Sequence, residues 1–516
     1  MLTMRGSALL IAVTASALGS PDCDTFTTCA TCSAARSWSG AACRWCPLAG
    51  DEACHAYGSP VNACDEAQQV TDADACAALT APSQLHVAFA GARAGEAMSV
   101  AWQTRGRTAR DEVRYGLAPD ALDATAAAAP GRANLAYLES FSHAVVLAPL
   151  APATTYYYDA GSDADGRAAV RNFTTAKAPG AAGAYPFEVA IFGDMGRDQY
   201  DGAENNARLA AWHARYDFVW HLGDLGYADD AFLHDKLGFG YEAALDEYMA
   251  QIEPWASVTP LMTLPGNHEA ECHSPACKAS PSRAKALANF SAYNARFLMP
   301  SAESNGSAAM WYSFDHGPLH VVSINTETDF AGAPNDRYNL DTENGGYCDA
   351  TGACGDWLPW LEADLAAVDR AVTPWVLVGG HRPIYSVAVV GDEKSGFKTD
   401  LQKAVEGLFH QYGVDFYFCG HEHSYERQYP THAGETVASY DEPPYTVHIL
   451  TGAGGSDEGH SEDYEHTVDA PWNAFWDDTH WGHGVLTVKS ASEVVWTQYI
   501  AATGEVLDTV TVTKTH

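Results

Sequence analysis

Cations are scarce in this chain. Its 516 residues carry 29 Lys+Arg against 66 Asp+Glu, a formal charge of −37. Nucleic acid and anionic membranes are recognised through basic patches, so this balance argues against both as partners. An anionic substrate would have to be drawn in by something local, and a bound metal cation is the strongest local charge of that kind. Long apolar runs are also missing. Ala8–Ala17 is too short to span a bilayer. With Arg5 before it and the small-x-small Ala17-Leu18-Gly19 at its end, Met1–Gly19 reads as a secretory signal peptide. No later run reaches spanning length, and Thr511–His516 is polar, which leaves no lipid-anchor tail signal. The expectation is a soluble protein without an integral membrane segment, secreted or held at the cell surface. Residues 23–76 have too few large apolar side chains for a core of their own, and no internal repeat stands out.

What residues 23–76 hold instead is cysteine. Eight of the 13 cysteines fall there: Cys23, Cys29, Cys32, Cys43, Cys46, Cys54, Cys64 and Cys76. An even, dense cluster in a secreted segment is a disulfide framework, with a pairing that spacing leaves open. Cys29-x-x-Cys32 and Cys43-x-x-Cys46 could instead mimic a zinc ribbon, which the secretory context disfavours. Cys272/Cys277 and Cys348/Cys354 are close enough for local loops, and Cys419 is left over as a free core thiol. Asn172, Asn289 and Asn305 head glycosylation sequons.

The chain as a whole is 47% hydrophobic, enough for a large core. Between residues 83 and 176, short alternating runs are separated by Gly, Pro and Asp turns, the spacing of an all-β sandwich. The Ala124–Ala129 tract reads as a surface loop, and Lys177–Gly183 as a linker. From Pro186 onward strands alternate with helices. One helix is expected over Ala203–Arg215, and three others have the apolar faces Tyr241/Leu245/Met249/Ile252, Trp357/Leu361/Leu365/Val368 and Leu401/Val405/Leu408/Tyr412. Such alternation implies an α/β fold with a parallel or mixed sheet, its strands' carboxyl ends along one edge. The last strand-like runs are expected to complete a second sheet.

Five strand-like runs end alike. Phe187–Phe192 leads into Gly193-Asp194, Phe218–Leu222 into Gly223-Asp224-Leu225-Gly226-Tyr227, and Pro260–Leu264 into Gly266-Asn267-His268-Glu269. Trp375–Val378 leads into Gly379-Gly380-His381, and Val414–Phe418 into Cys419-Gly420-His421-Glu422-His423. In each, glycine precedes a carboxylate, amide or imidazole, where backbone must crowd a ligand. Singly each is an ordinary turn. Together Asp194, Asp224, Tyr227, Asn267, His381, His421 and His423 offer mixed oxygen and nitrogen ligation suited to Fe, Zn or Mn rather than Ca.

These five motifs, in this order, resemble those of the purple acid phosphatases, which belong to the calcineurin-like metallophosphoesterases. The resemblance runs from about residue 83 to the C-terminus and is to the large, plant-type branch. The cysteine order around Cys43-Arg44-Trp45-Cys46 resembles the PSI (plexin-semaphorin-integrin) module, a spacer or wedge that leaves room for a protein partner. The implied organisation is a signal peptide (1–19), a disulfide-rich PSI-like module (20–80), a fibronectin III-like β-sandwich (81–177) and an αββα-sandwich metallophosphoesterase domain (184–516).

The resemblance further implies Fe(III) held by Asp194, Tyr227 and His423. A second, divalent metal (Zn, Mn or Fe) would be held by Asn267, His381 and His421, with Asp224 bridging. A metal-bound hydroxide would attack the phosphate ester in line. His268, beside Asn267, is expected on the substrate, as a donor to phosphate or as acid for the leaving group. Glu269 is expected to support the ligands, and Glu422 to be a solvated turn carboxylate. Family members often carry further histidines after the His381 segment. Ile384–Phe397 has none; Tyr385 and Lys394 stand there instead, with Tyr385 a supporting candidate. The implied activity is a secreted acid phosphatase for monoesters. The same centre could favour diesters, nucleoside polyphosphates or phytate. A non-catalytic recognition protein is the remaining alternative, disfavoured because all seven ligand positions are present.

Overall fold

The structure is a computed structural model. It describes residues 23, 29–37, 41–46, 54–56, 70, 73–91, 95–128, 132–133, 140–181, 184–231, 239–272, 274–331, 333–334, 357–389, 397–461, 465–466 and 469–515. The signal-peptide reading, Cys64, Cys348, Cys354 and Lys394 lie outside them. Two compact units are present: residues up to Ala81 together with Arg105–Arg107, and the remainder.

The smaller unit is held by sulfur. Helices Cys29–Ser33 and Ala73–Thr80 flank a hairpin of Cys43–Trp45 with Cys54–Ala56. Cys23–Cys43, Cys29–Cys76 and Cys32–Cys54 are disulfides, and Cys46 is also disulfide-bonded. The zinc-ribbon alternative is thereby removed, since the Cys29 and Cys32 thiols are spent on different partners. The buried core is these cysteines around Trp45 and Val70. Cross-links closing loops of this length each contribute about 2–4 kcal/mol, largely by restricting the unfolded chain.

The larger unit begins with the expected β-sandwich. One sheet runs Ser83–Ala90, Ala97–Thr104, Phe141–Leu147 and Arg132–Ala133; the other is built on Asp111–Gly116 and Thr155–Ser162. The alanine tract is not a loop: Ala124–Ala128 pairs antiparallel with Asp111–Gly116 as an edge strand. Small side chains carry little β-propensity, so here the ladder overrides composition. Cys272–Cys277 forms the local disulfide, and Cys419 is free and buried.

Two mixed sheets follow. The first is ordered Leu261–Thr263, Tyr216–His221, Phe187–Phe192, Gly482–Val488, Glu493–Ile500, Val506–Thr513. Its first three strands are parallel, and the C-terminal three add antiparallel. The last runs therefore extend the first sheet rather than make another. The second sheet is ordered Tyr312–His316, Leu319–Ser323, Trp375–Gly379, Phe416–Cys419, Val447–Thr451, Tyr425–Gln428, Asn473–Asp477, with the strands from Leu319 through Val447 parallel. Trp220 of the first sheet lies edge-on to Phe418 and donates its indole N–H to Ser323 of the second, and Trp496 also meets Phe418. The sheets thus pack face to face.

Helices cover the outer faces. Gly202–Trp212 and Tyr241–Ala256 lie on the first sheet's side, where Trp255 donates to Asn206. Trp357–Ala367 and Phe397–Tyr412 belong to the core on the second sheet's side. In the last helix Leu401, Val405 and Phe409 are the fully buried positions, while Leu408 and Tyr412 are only partly covered. The architecture is αββα preceded by an all-β sandwich, as expected. Among the described residues no helix is long and apolar enough to cross a membrane.

Candidate metal centre

All five motif strands end at the same rim, three from one sheet and two from the other. Aiming their side chains inward strains the backbone. Asp194, Asp224, Tyr227 and His421 adopt φ of +60°, +49°, +47° and +72°, a region that costs a non-glycine residue about 1–3 kcal/mol. The preceding glycines are sterically required. A Cβ on Gly266 would lie 2.2 Å from Asp224 Oδ1, and one on Gly420 would lie 2.1 Å from Asp194 Oδ2.

The side chains gather in two groups. In one, the Tyr227 hydroxyl stands 3.3 Å from Asp194 Oδ1 and 3.1 Å from His423 Nε2, and His423 Nε2 is 3.7 Å from Asp194 Oδ1. In the other, His381 Nε2 stands 3.0 Å from Asp224 Oδ2 and 3.1 Å from Asn267 Oδ1. Asp224, His381 and His421 offer ligand atoms all within 4.8 Å of one another. Atoms ligating one ion at about 2.0–2.2 Å stand roughly 3–3.5 Å apart, so both groups have the spacing a cation needs.

Tautomers give an independent test of fit. His381 Nδ1 lies 2.8 Å from the Leu222 carbonyl and His423 Nδ1 lies 2.8 Å from the Gly459 carbonyl. A carbonyl only accepts, so in each ring Nδ1 carries a proton and Nε2 is the nitrogen that faces the cluster. Metal-binding histidines are usually fixed in this way. Burial pushes His423 down to about 4, so that ring is neutral and ready to ligate. Burial also lifts Asp194 well above the usual carboxylate range, with neighbouring Asp224 adding to the effect. Burial would raise Asp224 too, but His381 and His268 outweigh it and keep that carboxylate ionised. His381 is disfavoured as a cation by burial, yet Asp224 and Asp194 raise it to about 9. Asp194 and Asp224 thus oppose each other's charge, and without a metal the imidazoles of His381 and His268 supply the compensating positive charge that one or two cations would replace.

The supporting residues divide. The Glu269 carboxylate accepts from the backbone N–H of Asp224, Leu225 and Gly266 at 2.8–2.9 Å. His268 is at the site. Its backbone N–H donates to Asp224 Oδ1, its Nδ1 is 2.9 Å from Asp229 Oδ1, and its Nε2 lies 3.9 Å from both Asp224 and Glu458. Burial opposes charge on that ring, but Asp229 and Asp224 raise it well above the ordinary range.

Two expectations are corrected. Glu422 is not solvated: it is buried, and Ser386 donates to its carboxylate and to that of Glu426. The strand that continues into Tyr425–Gln428 draws it inward. Tyr385 does not support the cluster. Its hydroxyl contacts Glu406, Gln402 and the Gly434 N–H, and its ring packs on His448 and Trp472.

Other residues at the rim were not anticipated. Arg382 forms a fork onto Glu327 through Nε and Nη2 at 2.8 and 3.0 Å, and its Nη1 is 2.8 Å from His421 Nε2. Asp229 orients His268, and Glu458 lies within 4.0 Å of His268 and His423. Arg197 and Asp457 form a buried pair at 2.7 Å that ties the Asp194 loop to the loop carrying Glu458. A signal for Glu327 did exist. The apolar run Leu319–Ile324 ends in Asn325-Thr326-Glu327, a sixth strand end that lacks the glycine of the others.

Comparison with known proteins agrees with this geometry. The calcineurin-like phosphoesterase family profile matches residues 187–425. The purple acid phosphatase N-terminal domain matches 82–175, and the iron/zinc purple acid phosphatase-like C-terminal segment matches 445–509. Acid phosphatase A of Cryphonectria parasitica is 33% identical over 490 residues, covering 85% of this chain and 93% of that one. Purple acid phosphatase 22 of Arabidopsis thaliana is 30% identical, covering 80% and 81%. A purple acid phosphatase from yellow lupin (Lupinus luteus) seeds shares the fold, with TM-score 0.64, 22% identity and coverage of 84% and 74%.

Proposed function

The chain belongs to the purple acid phosphatases, and we propose that it is a secreted enzyme hydrolysing phosphate monoesters at a dinuclear Fe(III)–M(II) centre, M being Zn, Mn or Fe. The observation that carries this is the pair of donor groups at one rim, each with an imidazole Nε2 turned inward by a backbone carbonyl bonded to Nδ1. Asp194, Tyr227 and His423 would hold the ferric ion. Asn267, His381 and His421 would hold the divalent one, with Asp224 shared. Two metals bound there would polarise the phosphoryl oxygens and activate water as the nucleophile.

The chain's own residues do the rest. Asn267 and His268 bind the substrate phosphate, and Asp229 sets the direction of the His268 ring. Glu269 holds the Asp224 and Gly266 backbones against the crowding of the site. Arg197 and Asp457 keep the two flanking loops in register. The site works within the division proposed from the sequence, 1–19, 20–80, 81–177 and 184–516, with a signal peptide and glycans at the sequons as the secretory reading requires.

The test is phosphate release across pH by the full, metal-loaded protein on an aryl phosphate, a nucleotide, phytate and a phosphodiester. Rapid aryl phosphate cleavage in acid supports the proposal. A diester, nucleotide or phytate cleaved faster than the aryl ester would move the assignment to that substrate. No release with two metals bound would overturn it.

A further inference from the structure

Arg382 follows directly on a proposed ligand, yet its guanidinium is not spent on the fold's surface. It is buried, and its Nε and Nη2 edge is occupied by Glu327, a carboxylate with no exposure at all. Glu327 is itself fixed: its backbone N–H bonds Asn325 Oδ1, while the Arg382 backbone N–H bonds Thr326 Oγ1. Two strand ends, after Ser323 and after Gly379, are thereby joined behind one guanidinium. The fork leaves the third nitrogen, Nη1, pointing at His421 Nε2, 2.8 Å away.

An arginine is always protonated, so Nη1 donates and the His421 Nε2 lone pair accepts. That lone pair is the one a metal would take. It cannot serve both, so a metal on His421 would displace that hydrogen bond, with Nη1 still at the rim beside the ligand. A phosphate oxygen of the substrate proposed above would be an acceptor of matching charge for it.

We propose that Arg382 is a substrate-binding residue that reads the phosphate group, with Glu327 as its positioning residue, and that the pair selects dianionic monoesters over monoanionic diesters. This rests on the hydrolase reading above and gives it a substrate preference. A guanidinium gains more from a doubly charged phosphoryl group than from a singly charged one, and its planar donors match phosphate oxygens.

The test uses the metal-loaded full chain and two readouts besides turnover: metal content by mass spectrometry and inorganic phosphate binding by calorimetry. Arg382→Ala should keep two metals per chain and weaken phosphate binding roughly 10- to 100-fold, the span of one charge-assisted hydrogen bond. KM for an aryl monoester should rise more than kcat falls, and the monoester-to-diester preference should drop about tenfold or more. Glu327→Gln, which keeps the arginine but loosens its aim, should show a smaller loss of the same kind, partly recovered in Glu327→Asp. Phosphate binding within twofold of wild type in Arg382→Ala would overturn the proposal. So would loss of a metal from that variant, which would make Arg382 part of the metal site's scaffold. If wild type binds two metals but hydrolyses nothing, the functional reading fails instead.

Discussion

The two ends of the parallel strands are built from the same residue types and do different things. At the amino ends, Asp217 accepts from Lys177 and from His316 Nε2, and His320 bridges Asp315 and Asp364 at 2.7 and 2.9 Å. Acids and bases there are paired off, and none of those five His and Asp residues has a positive φ. At the carboxyl ends, Asp194 and Asp224 crowd each other, four motif residues sit in the left-handed region, and His381 and His423 turn Nε2 inward. A cluster of His and Asp is thus not a site by composition. It becomes one where the fold crowds like charges together and strains the backbone to do so, which is where stability is surrendered for function.

The sharpest way to break this contrast is to neutralise one carboxylate at each end. Asp224→Asn should lower monoesterase activity by at least ~10³-fold, several kcal/mol of transition-state stabilisation. Asp217→Asn should leave kcat within twofold yet destabilise the fold by about 1–3 kcal/mol, because Lys177 loses its counter-charge and one acceptor oxygen becomes a donor. Melting curves and a single-substrate assay on both variants check this. Equal activity losses would erase the distinction.

Metal removal is next in size. Chelation should abolish activity reversibly and lower Tm, and Tm should rise again with added metal, since binding to the native state alone stabilises by mass action. The amino-end network should be unaffected, so the Tm cost of Asp217→Asn should be the same with and without metal.

The third prediction concerns pH. Burial disfavours charge on His320, but its hydrogen bonds to Asp315 and Asp364 raise it to about 9. A folded-state value above the unfolded 6.5 contributes stability that is fully present below about 6.5 and disappears as pH rises through about 9. His320→Gln should therefore cost about 2–3 kcal/mol at pH 6 and close to nothing near pH 10, read from denaturant melts. The smallest effect is expected from Tyr385→Phe. With its hydroxyl turned to Glu406, activity should stay within twofold and stability fall by about 1 kcal/mol.

Much of this was legible in the sequence because the signals are local. Gly-Asp, Gly-Asn-His and Gly-His-x-His mark strand ends where the backbone must approach a ligand, and strand-end positions in an αββα fold converge by topology. Glu458 was hidden for the opposite reason: it reaches the rim from a loop whose path is set by tertiary packing, so nothing in its immediate neighbours announces it. Asp229 lies in the short turn Ala228–Asp230 just after Tyr227, and Glu327 follows a strand end without the glycine that marked the others. Glu422 was misjudged because alternation along a turn does not say which side is buried. Tyr385 was misjudged because a tyrosine near a ligand in sequence can turn to the other side of its segment. The alanine tract failed as a loop for a further reason: edge pairing can hold a strand that propensity would not form.

The pairing of Phe187–Phe192 with Gly482–Val488 has a consequence in time. The strand that carries Asp194 is held on one flank by Tyr216–His221, but its other flank is covered only by residues made some 290 positions later. At ordinary elongation rates that is roughly 15–60 s of synthesis during which the strand presents an open edge. The reaction rim cannot be completed before the last sixth of the chain has been made. Any shortening of the protein that reaches residues 482–488 therefore removes the partner of the strand that carries Asp194, however far from the proposed metal site the cut appears in sequence.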